Sequence, residues 1–180
     1  KPQTTRRIIR GIRTEGNYQH VYFDTPGAVR TATGLDTFMH DQIFQALSDV
    51  EQVVAIVDAK DAVRKHAPFI NKVLETAKAN KQPLIIALNK IDEIKDKAQL
   101  LKLTAEYAQE CGVHEIVPLS AVSHDGLDQL FKVLSKHAQE SPFYFSEELF
   151  TDASEKEIVA ELIREKAMLE LEENKYVFGM

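Results

Sequence analysis

Three short, almost unbroken apolar runs constrain the fold of this chain more than any other feature. They occupy residues 53–57, 84–88 and 116–119, and each is followed by polar residues and then by a helical pattern. Strands that are buried on both faces of a parallel sheet have this composition. The regular alternation of strand and helix from residue 50 to residue 137 therefore predicts an α/β fold, with a mostly parallel sheet and helices on both faces.

An antiparallel hairpin is predicted before these strands. Isoleucine alternates with basic residues from Arg7 to Thr14, residues 15–17 supply a turn, and a second extended segment runs from Gln19 to Asp24.

Helices are predicted where apolar residues recur every three or four positions. The predicted helices are residues 36–48, a helix with Pro68 in its first turn, a stripe from Leu100 to Tyr107, residues 127–134 with Asp125 as N-cap, and residues 154–173. Residues 141–145 interrupt the alternation and are the predicted linker, and Lys175 to Met180 resembles the start of a further strand.

Charge, hydropathy and cysteine content narrow the class of protein. The net charge of −6 argues against a nucleic-acid clamp over the chain as a whole, although residues 1–13 carry five basic residues and no acid. A membrane span and a signal peptide are not predicted, because no run of 18 apolar residues occurs and the first residues are polar and basic. Cys111 is the single cysteine and is predicted to be structural in a reducing cytoplasm, while the six histidines lack ligand spacing.

The residues that can carry chemistry lie in three loops, each directly after a predicted strand. The loops are Asp24, Thr25, Pro26 and Gly27, then Asn89, Lys90 and Asp92, and finally Ser120 and Ala121. In open parallel sheets, ligands bind outside the carboxyl ends of the strands. We therefore expect the three loops to surround one ligand.

The second loop predicts recognition of guanine. The carboxylate of Asp92 can accept two hydrogen bonds from the N1–H and N2 amino groups of guanine, which adenine does not offer. The amide of Asn89 can bond purine N7 and tie neighbouring loops, and the stem of Lys90 can cover the ring face. A backbone N–H at Ser120 and Ala121 would meet guanine O6. Such a site discriminates strongly, because the wrong base leaves Asp92 unpaired.

The first loop predicts contacts with magnesium and a γ-phosphate. Asp24 can reach a magnesium ion through water, and the N–H of Gly27 can approach the phosphate because no side chain intervenes. Thr5 is a candidate magnesium ligand that would engage only when the γ-phosphate is present, although an ordinary exposed threonine is the alternative. Residues 1–180 contain no phosphate loop of the form GxxxxGK[ST], and no side chain is predicted to be catalytic.

Six motifs together resemble the Era family of small-subunit ribosome assembly GTPases, over essentially the whole chain. They are KPQTTR at 1–6, TEGxYQ at 14–19, DTPG at 24–27, NKID at 89–92, IVPLSA at 116–121 and ELIREK at 161–166. The resemblance implies a P-loop NTPase-type G domain over residues 1–138, without its N-terminal strand and phosphate loop, a linker over 139–152, and the start of a KH-type RNA-binding domain over 153–180. It also implies GTP or GDP and Mg²⁺ as cofactors, and small-subunit (16S-type) rRNA and the 30S-type subunit as partners, through a KH domain that is mostly absent here.

The leading hypothesis is thus a switch that hydrolyses GTP slowly and assists assembly of the small ribosomal subunit. It would act in the cytoplasm or peripherally at the inner face of the cell membrane. One alternative is a non-hydrolysing RNA-binding or scaffold module that retains a guanine pocket. Another is a related tRNA-modifying or ribosome-assembly GTPase, and the ELIREK helix argues against a tRNA-modifying relative. A circular permutation is disfavoured because no phosphate loop follows residue 92.

The resemblance also implies that residues 1–180 are a fragment and are inactive alone. The strand leading into the phosphate loop is central to the sheet of this fold, so its absence would expose two strand edges. We therefore expect residues 1–180 on their own to be unstable or to aggregate.

Overall fold

The computed structural model describes residues 9–25, 47–61 and 63–175. The chain divides into two compact units, a hairpin unit made of residues 1–36 and 142–180 and a sheet unit made of residues 37–141. The predicted helix over 36–48 lies outside the described residues, apart from a single 3₁₀ turn at Leu47–Asp49.

The hairpin unit contains the predicted antiparallel pair. Strand β1 is Ile9–Glu15 and strand β2 is Tyr18–Asp24, and Glu15 lies opposite Tyr18 at the closed end. The turn between them uses Gly16 at a φ of +57°, a left-handed conformation that glycine adopts without steric cost.

Residues 142–152 of the hairpin unit lie along β1. The N–H of Ile12 donates to the Phe150 carbonyl (2.8 Å), and the Thr151 hydroxyl donates to the Arg10 carbonyl (2.6 Å). Arg10 also forms an ion pair with Asp152 (2.8 Å). Strand β1 is therefore bonded on both of its edges, by β2 on one side and by this segment on the other.

Gln19 on β2 fastens the beginning of the same segment. Its Oε1 accepts from the N–H groups of Tyr144 (2.9 Å) and Phe145 (3.0 Å). Its Nε2 donates to the Phe145 carbonyl (2.9 Å) and to the Thr14 hydroxyl (3.0 Å). All the hydrogen-bonding capacity of this amide is thus used within the hairpin unit.

The described residues of the sheet unit contain three parallel strands, in agreement with the predicted parallel sheet, and the strand order is β3-β4-β5. They are Val53–Asp58, Leu84–Asn89 and Ile116–Pro118. Asp58 pairs in register with Asn89, so the carboxyl ends of β3 and β4 lie level with each other. This register brings the loops that follow the two strands to one edge of the sheet.

The central strand β4 explains why its sequence is apolar without interruption. All five residues 84–88 are buried. Leu84, Ile86 and Leu88 belong to a core cluster, whereas Ile85 and Ala87, which alternate with them along the strand, are buried on the opposite face.

Helix α1, Val63–Ala79, begins earlier than predicted. Pro68 lies inside the helix and not in its first turn. A proline costs the helix one hydrogen bond and crowds the preceding turn. The apolar face nevertheless extends to Val63, because Val63 and Ala67 are both buried in the core cluster.

Helix α2, Lys97–Cys111, has clear start and stop signals. The side chain of Asp96 accepts from the Ala98 N–H at the N-terminus, and Gly112 ends the helix at a φ of 63°. Tyr107 and Cys111 face the core, and burial raises the pKa of the Cys111 thiol.

Helix α3, Leu127–Lys136, is capped by Gly126 and not by Asp125, so this prediction was wrong by one residue. Asp125 instead uses its carbonyl to accept the Ser120 N–H (2.8 Å). Gly126 has a φ of +77°, and a Cβ atom there would lie 2.3 Å from the Pro118 carbonyl oxygen. The chain can turn into α3 against β5 only because this residue has no side chain.

Helix α4, Glu155–Lys175, belongs to the hairpin unit and begins with a capping box. The Ser154 N–H and hydroxyl both donate to Glu157 (2.8 Å each). The helix includes Lys175, so the strand predicted to begin there is wrong for that residue, and residues 176–180 lie outside the described part. Among the helices that the structure describes, none combines the length and the apolar character needed to cross a bilayer.

Candidate functional site

Asn89, the last residue of β4, joins two of the predicted loops. Its Oδ1 accepts from the Lys90 N–H (2.8 Å) and from the Ala121 N–H (3.0 Å). Its Nδ2 donates to no group in the described part of the chain. Half of this amide therefore holds the loops together, and the other half is available to a ligand.

Lys90 and the short turn after it present a carboxylate. Lys90 has left-handed backbone angles (φ 68°, ψ 35°), and a 3₁₀ turn follows at Ile91–Glu93. The Ile91 N–H donates to the Leu119 carbonyl (3.3 Å), which fixes the turn against the loop after β5. Asp92 lies in this turn, is exposed, and forms no hydrogen bond or ion pair with the residues that the structure describes. It is a free acceptor held on a fixed backbone.

The loop after β5 is fastened mostly from within. Ser120 is fully buried, its N–H donates to the Asp125 carbonyl (2.8 Å), and its hydroxyl accepts from the Ser123 N–H (3.1 Å). Because the Ala121 N–H donates to Asn89, both N–H groups predicted to meet guanine O6 already have acceptors. A base oxygen would have to share the Ala121 N–H with Asn89 Oδ1, or use the next N–H, of Val122, which meets no acceptor in the described ranges.

A third segment, residues 58–60 at the carboxyl end of β3, borders the same loop, and the sequence did not indicate it. The Ala59 N–H donates to the Asn89 carbonyl (2.9 Å), and Lys90 Nζ lies 2.6 Å from Asp58 Oδ2. The only sequence signal was the position of Asp58, at the end of an apolar run like those before the predicted loops.

Two ion pairs therefore join these segments. Asp58 pairs with Lys90, and Lys60 pairs with Glu93, so that each segment supplies one acidic and one basic side chain. Partial burial alone would raise the pKa of Asp58, but hydrogen bonds from the Lys90 ammonium and the Lys60 backbone N–H lower it overall. The hydrogen bond to Asp58 raises the pKa of Lys90, and the bond to Glu93 raises that of Lys60. Both lysines are therefore held in the charged form.

The unused groups of residues 89–92 match the edges of guanine. A carboxylate that accepts suits N1–H and the N2 amino group, and an amide N–H that donates suits N7. Adenine presents an acceptor at N1, which would face the Asp92 carboxylate without a hydrogen. The donor and acceptor set of this loop therefore fits guanine and not adenine.

Of the other predicted residues, the structure describes two, and both belong to the hairpin unit. Asp24 ends β2 with an exposed side chain and Thr25 follows it, both in the hairpin unit, whereas Thr5, Pro26 and Gly27 lie outside the described residues. No group of three or more His, Cys, Asp or Glu side chains that could hold a metal ion is found among the described residues. The structure thus brings together the second and third predicted loops.

Comparison with known proteins identifies a family. Residues 10–140 match the model of the elongation factor Tu GTP binding domain. GTPase Era of Clostridioides difficile (strain 630) is 36% identical over 168 residues, which cover 93% of this chain and 56% of that protein. GTPase Era of Pseudomonas fluorescens (strain Pf0-1) is 39% identical over 172 residues, 95% of this chain and 56% of that protein. The chain spans about half the length of these curated relatives.

Solved structures agree with the sequence relatives. A crystal structure of Era in complex with MgGDPNP and nucleotides 1506–1542 of 16S ribosomal RNA matches with a TM-score of 0.83 and 31% identity, over 93% of this chain and 56% of that one. A probable GTP-binding protein engB matches with a TM-score of 0.60 at 19% identity, over 74% of this chain and 84% of that one, a likeness of fold alone. The predicted α/β G-domain fold and the predicted resemblance to Era are both confirmed. The chain is similar to GTPase Era over more than nine tenths of its length, and it belongs to the family of elongation factor Tu-type GTP-binding domains.

Proposed function

We propose that residues 1–138 form part of a G domain that binds GTP and GDP with Mg²⁺ and hydrolyses GTP. The observation that carries this proposal is the loop 89–92, in which Asp92 is a free acceptor and Asn89 Nδ2 a free donor on a backbone fixed by neighbouring loops. In this proposal Asp92 pairs with guanine N1–H and N2, Asn89 bonds N7, and the stem of Lys90 covers the ring. The buried Ser120 supports the loop that meets O6.

Asp24, Thr25, Pro26 and Gly27 are proposed to respond to the γ-phosphate, with Asp24 and Thr5 near the magnesium ion. Mg²⁺ would supply charge neutralisation between the phosphates when it is bound. Since residues 1–180 contain no GxxxxGK[ST] sequence, hydrolysis is proposed to require a phosphate loop from outside them.

The biological role is proposed to be assembly of the small ribosomal subunit in the cytoplasm. A solved relative of this chain is Era in complex with part of 16S ribosomal RNA, which supports an RNA partner of this class. The proposed arrangement is the G domain, a linker over 139–152, and a KH-type RNA-binding domain that begins at residue 153 with α4.

The test is a change of base preference. Asp92→Asn exchanges an acceptor for a donor, and should weaken GDP binding about a hundredfold or more while creating affinity for xanthosine diphosphate. Binding is measured by the ¹⁵N shifts of the Lys90 and Val122 amides, which also respond to weak binding, in a protein that contains residues 1–180 and melts cooperatively.

Asp128→Asn is the matched control, because it makes the same chemical change at an exposed position on α3. It should leave both affinities unchanged. Equal binding of GDP and ADP by the unsubstituted protein would refute the proposal, and so would an Asp92→Asn protein that keeps its preference for GDP.

A further inference from the structure

We infer that Asp58 is a positioning residue for guanine recognition: it holds the Lys90 ammonium at the end of β3, and so keeps the Lys90 stem in place and the Asp92 carboxylate free. This inference rests on the proposed function. It adds to the site the last residue of β3, which lies outside the three predicted loops.

The first support is that both carboxylate oxygens of Asp58 are committed. Oδ2 accepts from Lys90 Nζ (2.6 Å), and Oδ1 accepts from the Lys60 backbone N–H (2.9 Å). The Asp58 side chain is only 23% exposed, compared with 46% for Lys90. The hydrogen bond from the Lys60 N–H therefore orients the carboxylate independently of the Lys90 side chain.

The second support is the shape of the Lys90 backbone. The side chain leaves the loop from a left-handed residue, a conformation that costs a non-glycine residue about 1 kcal/mol. The Ala59 N–H to Asn89 carbonyl bond (2.9 Å) holds the two strand ends level beside it. The segment 58–60 thus contacts both the Lys90 side chain, through Asp58, and the carbonyl of the residue before Lys90, through Ala59.

The third support is the competition that Asp58 prevents. Lys90 and Asp92 lie two residues apart in one loop, and the four-carbon stem of lysine can swing its charge toward either carboxylate. An ammonium within about 4 Å of Asp92 would compete with the N1–H and N2 donors of the base. Pairing with Asp58 removes this competitor and leaves Asp92 without a partner in the described part of the chain.

The experiment compares GDP affinity in four proteins that contain residues 1–180. Asp58→Asn keeps an oxygen for the Lys60 N–H but removes the charge, and should weaken GDP binding about tenfold. Lys90→Met should weaken binding as well. The double variant Asp58→Asn/Lys90→Met should bind GDP no more weakly than Lys90→Met alone, because Asp58 acts through Lys90.

Glu115→Gln is the matched control. Glu115 is a carboxylate of similar exposure (26%) that pairs with Lys136 (2.8 Å), but it lies just before β5, at the other end of that strand. Its substitution should leave GDP affinity unchanged. If Asp58→Asn fails to melt cooperatively, Asp58→Ser, which also offers an oxygen to the Lys60 N–H, takes its place with the same expectations.

An Asp58 variant that binds GDP like the unsubstituted protein overturns the inference. So does a double variant in which the two losses multiply, because the effect would then not pass through Lys90. If the unsubstituted protein does not prefer GDP to ADP, the proposed function itself fails, and this outcome is distinct from the other two.

Discussion

Two side-chain amides fasten loops in the two units of this chain, and they are used differently. In the hairpin unit, both the oxygen and the nitrogen of the Gln19 amide form hydrogen bonds within the chain, four in all, to Thr14, Tyr144 and Phe145. In the sheet unit, the Asn89 oxygen accepts from two backbone N–H groups, and its nitrogen has no acceptor in the described ranges. A saturated amide is a structural fastener, whereas a half-used one can also bind a ligand.

Two glycines draw the same contrast. Gly16 and Gly126 both have positive φ, +57° and +77°. Nothing lies within 4 Å of a Cβ atom built at Gly16, whereas one at Gly126 would overlap the Pro118 carbonyl oxygen at 2.3 Å. The hairpin turn needs glycine for its backbone angles only, but the loop before α3 needs it for angles and space.

The largest expected effect tests the two glycines. Gly126→Ala should lower the free energy of unfolding by about 3 kcal/mol or more, because the backbone of β5 must move. Gly16→Ala should cost about 1 kcal/mol, the ordinary price of left-handed angles. Urea denaturation of both variants measures the difference. Equal losses would show that the contact at Gly126 relaxes freely, and the contrast between the two loops would fail.

An intermediate effect tests the two amides. Gln19→Ala should cost about 1–2 kcal/mol of unfolding free energy and speed hydrogen exchange at the Tyr144 and Phe145 amides, since both lose their acceptor. Asn89→Ala should cost about 1 kcal/mol and also weaken GDP binding tenfold or more, because both loop contacts and the free donor are lost.

The two readouts separate the roles. Exchange at residues 144 and 145 should be unaffected by Asn89→Ala, and GDP preference over ADP should survive Gln19→Ala. If the Asn89→Ala protein kept its GDP affinity, Asn89 would have a purely structural role, like Gln19.

The smallest expected effect is pH-dependent and concerns Glu115. Partial burial would raise the pKa of Glu115, but hydrogen bonds from Lys136 and His137 lower it overall below its ordinary value of 4.5. Because the folded-state pKa is the lower one, the stabilisation is complete above pH 4.5 and is lost as pH falls through the folded value. It should amount to less than about 1 kcal/mol, since the side chains are partly exposed.

Thermal unfolding from pH 7 downward, with Glu115→Gln as the reference, measures the stabilisation that the ionised Glu115 provides. The difference between the two proteins should be constant down to the ordinary carboxyl range and shrink below it. Asp152→Asn, which removes the exposed Arg10–Asp152 pair of the hairpin unit, is the comparison. If the stability difference between the unsubstituted protein and Glu115→Gln grew as the pH fell, the predicted direction of the pKa shift of Glu115 would be wrong.

The parallel sheet could be predicted because its signal is local. Residues 84–88 read as a two-faced strand, and the structure buries all five. The hairpin of β1 and β2 could be predicted for the same reason, since alternation and a glycine turn are properties of neighbouring residues.

The errors and omissions have non-local causes. Pro68 suggested a helix start, but the core holds Val63 and extends α1 backward. Asp125 has the chemistry of an N-cap, yet the packing of Gly126 on β5 moves the cap by one residue. The Asp58–Lys90 pair joins residues 32 positions apart, and only the register of β3 on β4 makes them neighbours.

The candidate site shows the same division. The loop 89–92 could be singled out from its residue types, because the hydrogen-bonding groups of an asparagine and an aspartate suit the edges of guanine. The sequence could not show which backbone N–H groups after β5 are free, because that depends on which of them donate hydrogen bonds within the chain.

The position of Cys111 has a consequence for following this protein as it opens. The chain contains one thiol, at the last residue of α2, 4% exposed and inside the core cluster of the sheet unit. Burial also raises its pKa, so little thiolate is present near neutral pH. An alkylating reagent can modify it only in molecules whose α2 has come away from the sheet. The rate of modification therefore reports how often that opening occurs.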